Sequence, residues 1–377
     1  MERFGEEEER VVNQVIRSGK LSQFFRDFRG GLNVQAFERE FANYLGSKHA
    51  ISVTNGTVSL EIILKAFGIG KGDRVLTTPL SFIATATAIL SVGAQPVFVD
   101  IEPDTLNIDP AKIEESIVSR TKAIFVVSLF GYPARMTALQ TVAEDNKLLI
   151  IEDAAQALGA SLCDKKIGTF GAAGSFSLQE TKSITSLGEG GIIVTDNDKI
   201  ADRARHIRNH GNVYGDCIQN VVCTNSRLTE AAAAFGRVQL KKLDHFNQLQ
   251  IDNAEYFLKR LPENLRPVYS YPLPMEIKPT YLLIPAYAQT KEKRDKIVET
   301  LTKLGISKGI PGQNVGYYKR LIGEPELFQR RYHSRHSLRK CENAYYAKDH
   351  LILFDLHRWT KSRSTMNKAL ETVAALK

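Results

Sequence analysis

Between Ala50 and Thr195 short apolar runs alternate with longer amphipathic stretches, and few folds satisfy that alternation. The run Leu148–Ile151 is continuous rather than alternating polar and apolar, so it reads as a parallel strand covered on both faces, and Arg74–Thr77, Pro96–Asp100 and Ala123–Leu129 read as further strands. After the strand Ala50–Val53, the residues Leu60, Ile63, Leu64 and Phe67 recur at helical spacing. Strands separated by such helices run parallel, which predicts an α/β fold: a mostly parallel central sheet flanked by helices. At 377 residues there is material for a second core. The expected division is a large domain over residues 1–245, including a helical amino-terminal segment, and a smaller α+β domain over 246–377. A long helix from Leu228 to about Leu261 should join them, with a strand over Tyr281–Ala288 and a helix presenting Ile297, Val298, Leu301 and Leu304 beyond it.

Ligands of open α/β sheets sit at the carboxyl ends of the strands. The run ending at Ile151 delivers Glu152-Asp153-Ala154-Ala155-Gln156 to such an end. A carboxylate at Asp153 can keep a pyridine nitrogen protonated, and Gln156 can offer a neutral amide to a phenolic oxygen. The same residues also suit a helix cap and a surface amide. Lys182 follows the strand-like Gly174–Leu178 and precedes Gly188-Glu189-Gly190-Gly191. A lysine there forms a Schiff base once its surroundings strip the amine of its proton, although most lysines are simply solvated. Its company singles it out: Ser177 offers a hydroxyl to a phosphate, and the glycines let backbone approach closely. Thr54-Asn55-Gly56-Thr57 opens the first helix of the α/β region, where free N–H groups bind phosphate, though it also reads as an ordinary capped turn. Phe82, after the strand Arg74–Thr77, suits either stacking on a planar ring or a core position. Taken together the pieces describe a pocket for pyridoxal phosphate (PLP).

In this order the motifs resemble the DegT/DnrJ/StrS family of PLP-dependent sugar aminotransferases, a branch of the fold-type I enzymes. The resemblance runs from Val34-x-x-Phe37-Glu38-x-x-Phe41-Ala42 through Asn55-Gly56-Thr57, Gly68–Asp73 and Gly93–Asp100. It continues in Glu152–Gln156, Lys182 with Gly188–Gly191, His210-Gly211, Asn225-x-Arg227 and Gly236–Leu240. It implies that Lys182 carries the cofactor as a Schiff base, Asp153 meets the pyridine nitrogen and Gln156 the phenolic oxygen. It also implies that Phe82 stacks on the ring, and that Gly56, Thr57 and Ser177 hold the phosphate. Asn225 matches an asparagine that reaches the phosphate from the neighbouring subunit, which implies a homodimer with shared sites. A branch with histidine at the lysine position removes oxygen instead of transferring an amine; Lys182 places this chain with the transaminases. Departures from the pattern fall at Ala134-Arg135-Met136, at Ser59 where alanine is usual, and over Leu353–Trp359, and they bear on substrate identity.

The expected reaction moves an amine from glutamate or glutamine to a keto-sugar, most naturally one linked to a nucleotide. Amination of a keto-cyclitol, formation of an aromatic amine, and a regulatory protein on the same fold are the rival readings. A dinucleotide enzyme would need Gly-x-Gly-x-x-Gly after the first strand, which is missing. The net charge of +8 is spread along the chain except near Arg330–His336, so it suits a phosphorylated small molecule better than nucleic acid, and that cluster also reads as a solvated face. No run of about 18 apolar residues suggests a membrane partner, and the amino terminus is charged, so a soluble cytoplasmic protein is expected. Cys163, Cys217, Cys223 and Cys341 lack metal-ligand spacing and fit a reducing compartment.

Overall fold

The computed structural model describes residues 3–211, 221–270, 272–304, 320–355 and 363–376. Cys217 and the Leu356–Trp359 part of the divergent carboxyl-terminal stretch lie outside them. Two helices come first, α1 (Glu6–Ser18) and α2 (Leu32–Leu45). The α/β region then contains β1 (His49–Val53), α3 (Gly56–Ala66), β2 (Arg74–Thr77), α4 (Ala84–Ser91) and β3 (Gln95–Phe98). It continues with α5 (Ile113–Ser116), β4 (Thr121–Val127), α6 (Met136–Asp145), β5 (Leu149–Asp153) and a hairpin of β6 (Ser161–Leu162) and β7 (Lys165–Lys166). β8 (Ala173–Ser177), β9 (Gly191–Thr195) and α7 (Asp198–Arg208) complete it, and α8 (Glu230–Leu258) leads away.

Seven strands form one sheet in the order β1-β9-β8-β5-β4-β2-β3. The five from β8 to β3 are mutually parallel, and β9 runs antiparallel to both β8 and β1. The sheet is therefore mostly parallel, as the alternating pattern predicts. Continuous apolar runs are explained by burial on both faces. Ile51, Val75, Phe125 and Ile193 point into one layer with α3, α4 and α7, while Leu76, Ile124, Val126 and Ile192 point into another with α2, α6 and α8. Helix ends are fixed locally: the Asn55 side chain accepts the Val58 N–H at 2.9 Å and starts α3. Helix α2 lacks such a residue of its own. The Glu230 carboxylate of α8 takes the Asn33 and Val34 N–H groups instead, at 2.9 and 3.3 Å.

The carboxyl-terminal part holds β10 (Leu265–Pro267), β11 (Ile277–Lys278), β12 (Ile284–Ala288), α9 (Lys291–Lys303), α10 (Glu326–Gln329), α11 (Tyr332–Leu338), α12 (Glu342–His350), β13 (Leu351–Phe354) and α13 (Arg363–Ala375). β10, β12 and β13 make an antiparallel sheet, whose core includes residues of α9, α12 and α13. Strand β12 begins at Ile284 rather than at Tyr281. Tyr281 has φ 49°, and the N–H groups of Thr280 and Leu282 bond back to the carbonyls of Gly131 and Phe130 instead of to a sheet neighbour. Leu304, expected on one face with Ile297, Val298 and Leu301, is 44 % exposed and lies just past the end of α9. Among the described residues, no helix is long and apolar enough to cross a membrane.

Candidate active site

The sheet register brings three strand ends together. Gly191, at the start of β9, pairs with Val53 at the end of β1 and with Ser177 at the end of β8. The turn before α3, the Ser177 hydroxyl and the Gly190-Gly191 backbone thereby meet at one corner. Packing is close enough to demand glycine: a Cβ on Gly191 would lie 2.4 Å from the Asn55 carbonyl oxygen, and one on Gly56 would lie 2.8 Å from Ser177 Cβ. Helix α3 points its free N–H end into this corner, with Gly56 buried and Thr57 half-buried. Beneath it, Ser59 bonds to Ser175 and, at 2.6 Å, to the Gly56 carbonyl. The serine that departs from the family pattern thus braces the turn.

Asp153 ends β5, one strand over, and is buried. Its Oδ2 accepts the Thr85 hydroxyl at 2.7 Å, and its Oδ1 accepts the Ala155 N–H at 3.3 Å. Burial pushes this carboxyl above its ordinary range, while the Thr85 and Ala155 donors and the charge of Lys182 pull it back. Lys182 shows the reciprocal behaviour: burial lowers its pKa, and Asp153 and Glu189 oppose that. The two groups therefore sense each other electrostatically. The lysine loop is closed by Leu178 N–H to the Gly190 carbonyl at 2.8 Å and Glu180 N–H to the Gly188 carbonyl at 2.9 Å. Arg3 reaches it from the front of the chain, donating to the carbonyls of Glu180 and Lys182 at 2.5 and 2.9 Å.

Gln156 lies past the end of β5, and its Oε1 accepts the Phe130 N–H at 2.9 Å. That bond leaves the NH2 end as the donor, the polarity a phenolic oxygen requires. Phe130 adopts φ 55° to make the contact. Phe82 is 62 % exposed, so the core reading fails and its ring is available for stacking. The Thr85 N–H bonds to its carbonyl, which ties Phe82 to the residue that holds Asp153. Asn225 is exposed on the rim beside the β1 end, where Arg227 bridges to Val53, and its Oδ1 accepts the Arg227 Nε–H at 2.8 Å. His210, past the end of α7, takes φ 62° and donates its N–H to the Thr224 carbonyl. Sequence reasoning assigned no role to Thr85, Ser81 or Phe130: Asp153 and Gln156, the partners of Thr85 and Phe130, are distant along the chain, and Ser81 acts through Thr85, four residues on.

A glycine-lined phosphate corner, a buried carboxylate with its own donor and a lysine amine below its ordinary range fit the phosphate, ring nitrogen and aldehyde of PLP. Comparison with known proteins agrees. A profile of the DegT/DnrJ/EryC1/StrS aminotransferase family matches residues 2–358. The chain is 37 % identical over 298 residues to a pleiotropic regulatory protein of Geobacillus stearothermophilus, covering 79 % of this chain and 77 % of that one. It is 40 % identical over 261 residues to the dTDP-3-amino-3,6-dideoxy-alpha-D-galactopyranose transaminase of Aneurinibacillus thermoaerophilus, covering 69 % of each. In structure it is similar to S. venezuelae DesV, with a TM-score of 0.84 and 29 % identity over 98 % of this chain and 93 % of that one. The chain belongs to the DegT/DnrJ/EryC1/StrS aminotransferase family and is a PLP-dependent aminotransferase.

Proposed function

We propose that this chain moves an amino group from glutamate or glutamine to a nucleotide-linked keto-sugar in amino-sugar biosynthesis. The observation that carries the reading is the convergence of strand ends that sets the Gly56, Ser177 and Gly191 corner one strand from the buried Asp153 carboxylate, with Lys182 in the loop that joins β8 to β9. The name of the Aneurinibacillus relative, a transaminase of a dTDP-linked amino sugar, supports the substrate class. PLP, when bound, supplies an aldehyde for the amine and a ring that accepts electrons. The α3 N–H groups at Gly56 and Thr57 and the Ser177 hydroxyl would hold its phosphate. Phe82 would cover one face of the ring, Asp153 would keep the ring nitrogen charged, and the Gln156 NH2 would donate to the phenolic oxygen. Lys182 Nζ, whose ammonium form burial disfavours, would take the proton from the donor's α-carbon and later return one to the sugar carbon that receives the amine. Asn225 of the partner subunit completes the phosphate site in a homodimer; its exposure on the rim supports that role. We place the enzyme in the cytoplasm, in keeping with the free thiols of Cys163 and Cys341.

The test is to supply the PLP-loaded protein with glutamate or glutamine and a panel of nucleotide-linked keto-sugars plus a keto-cyclitol. An aminated nucleotide sugar, identified by mass, is the expected product. Amination of the cyclitol alone would move the assignment to that substrate. Light scattering tests the dimer.

A further inference from the structure

Asp153 is held from below by a pair of buried hydroxyls. Thr85, in the first turn of α4, has no measurable exposure, and Ser81 is 3 % exposed. A hydroxyl has one proton to give. Thr85 gives its proton to Asp153 Oδ2 at 2.7 Å, so at the 3.1 Å contact between the two hydroxyls Ser81 must be the donor. Both protons therefore point along one line toward the carboxylate. Thr85 makes no cap for α4, and a valine of the same shape would pack in its place without a polar atom to satisfy. Its hydroxyl is thus explained by Asp153 and by nothing else on its helix. Among the described residues the second carboxylate oxygen has only the longer Ala155 bond, which leaves it a lone pair for a ligand.

We propose that Thr85, backed by Ser81, is a positioning residue that orients the Asp153 carboxylate toward the pyridine nitrogen and stabilises its charge. The proposal rests on the reading of Asp153 as the partner of that nitrogen. Burial works against the charge of Asp153, and the Thr85 hydroxyl is the first of the groups that oppose burial. Removing one donor to a buried charged acceptor leaves the acceptor underpaired. The consequence is a ring nitrogen less firmly protonated, which withdraws less from the chromophore.

The experiment compares Thr85→Val, Thr85→Ser, Ser81→Ala and Asp153→Asn, each loaded with PLP. Thr85→Val is expected to lower kcat roughly 10- to 100-fold with the KM for glutamate little changed. The pH titration of its visible absorbance band is expected to move upward, a readout that does not require turnover. Thr85→Ser keeps the hydroxyl and should restore both. Thr85→Val combined with Asp153→Asn should lose no more than Asp153→Asn alone. If Asp153→Asn is impaired while Thr85→Val titrates and turns over like the unaltered protein, the role of Thr85 is overturned and that of Asp153 stands. If Asp153→Asn itself behaves like the unaltered protein, the underlying reading of Asp153 falls. Equal loss in Thr85→Val and Thr85→Ser would assign the effect to packing and overturn the proposal. Should Thr85→Val fail to fold, Ser81→Ala removes the backing proton alone: a smaller shift in the same direction supports the relay, and an unchanged titration overturns it.

Discussion

The Lys182 ammonium is penalised by burial more than Asp153 and Glu189 can compensate, so the amine loses its proton below the pH at which a free lysine does. The sign is direct: at pH 8 a larger share of Lys182 is nucleophilic than of a solvated lysine. The rate at which cofactor-free protein takes up PLP, followed by its colour, should therefore level off below pH 10.5, the ordinary lysine value. Lys182→Ala should abolish turnover yet still bind the cofactor, measured by retained absorbance after gel filtration. Gly191→Ala pushes a methyl against the Asn55 carbonyl and should cost about 1–3 kcal/mol of stability together with PLP retention, seen as a lower melting temperature and faster cofactor loss. At this scale much of the site was legible. Lys182, Asp153 and Gly56 announce themselves through neighbours within a few residues. Thr85 did not, since the carboxylate it serves lies 68 positions away and only the fold joins them. Phe130 was hidden for a different reason: a non-glycine residue at φ 55° has no local sequence signature.

Elements are tied together by buried charges that periodicity does not reveal. Arg208 of α7, with no exposed surface, bonds to Glu38 of α2 at 2.5 Å and to the Ser52 carbonyl of β1 at 2.9 Å. Arg208→Met strands the Glu38 charge and should destabilise by about 3–5 kcal/mol in chemical denaturation. Glu152, beside Asp153 but facing the other way, accepts N–H groups from Gly168, Phe170 and Gly171 at 2.7, 2.6 and 2.7 Å and so pins the loop between β7 and β8. Burial raises its carboxyl from 4.5 to about 7. A raised carboxyl means that the folded chain holds more protons than the unfolded one, so this group's contribution falls as pH rises from 4.5 to about 7. The expected loss is at most about 3 kcal/mol, and Glu152→Gln should flatten that slope in denaturation curves taken across the window. The strands themselves were readable from apolar runs, but their order was not. Nothing in the His49–Val53 run says that it lies antiparallel at the sheet edge beside β9, because pairing there is set by the returning chain.

For the whole molecule, the long helix α8 is the organising piece. Leu240 and Leu243 sit in the core on one face of the large sheet, whereas Ala254 and Phe257 sit in the core of the carboxyl-terminal part. We propose that the division at residue 245 marks this change of core rather than a flexible joint, since the helix runs unbroken through it. The contact between α1 and α8 bears on a different matter. Gln239 and Lys242 hold Glu8 at 2.7 and 2.6 Å, Gln239 also takes the Arg3 carbonyl at 2.7 Å, and Arg3 in turn grips the loop of the reactive lysine. The first residues of the chain are thus wired to the chemistry. Through these contacts any pull on Arg3 or α1 is carried straight to the loop that holds the reactive lysine.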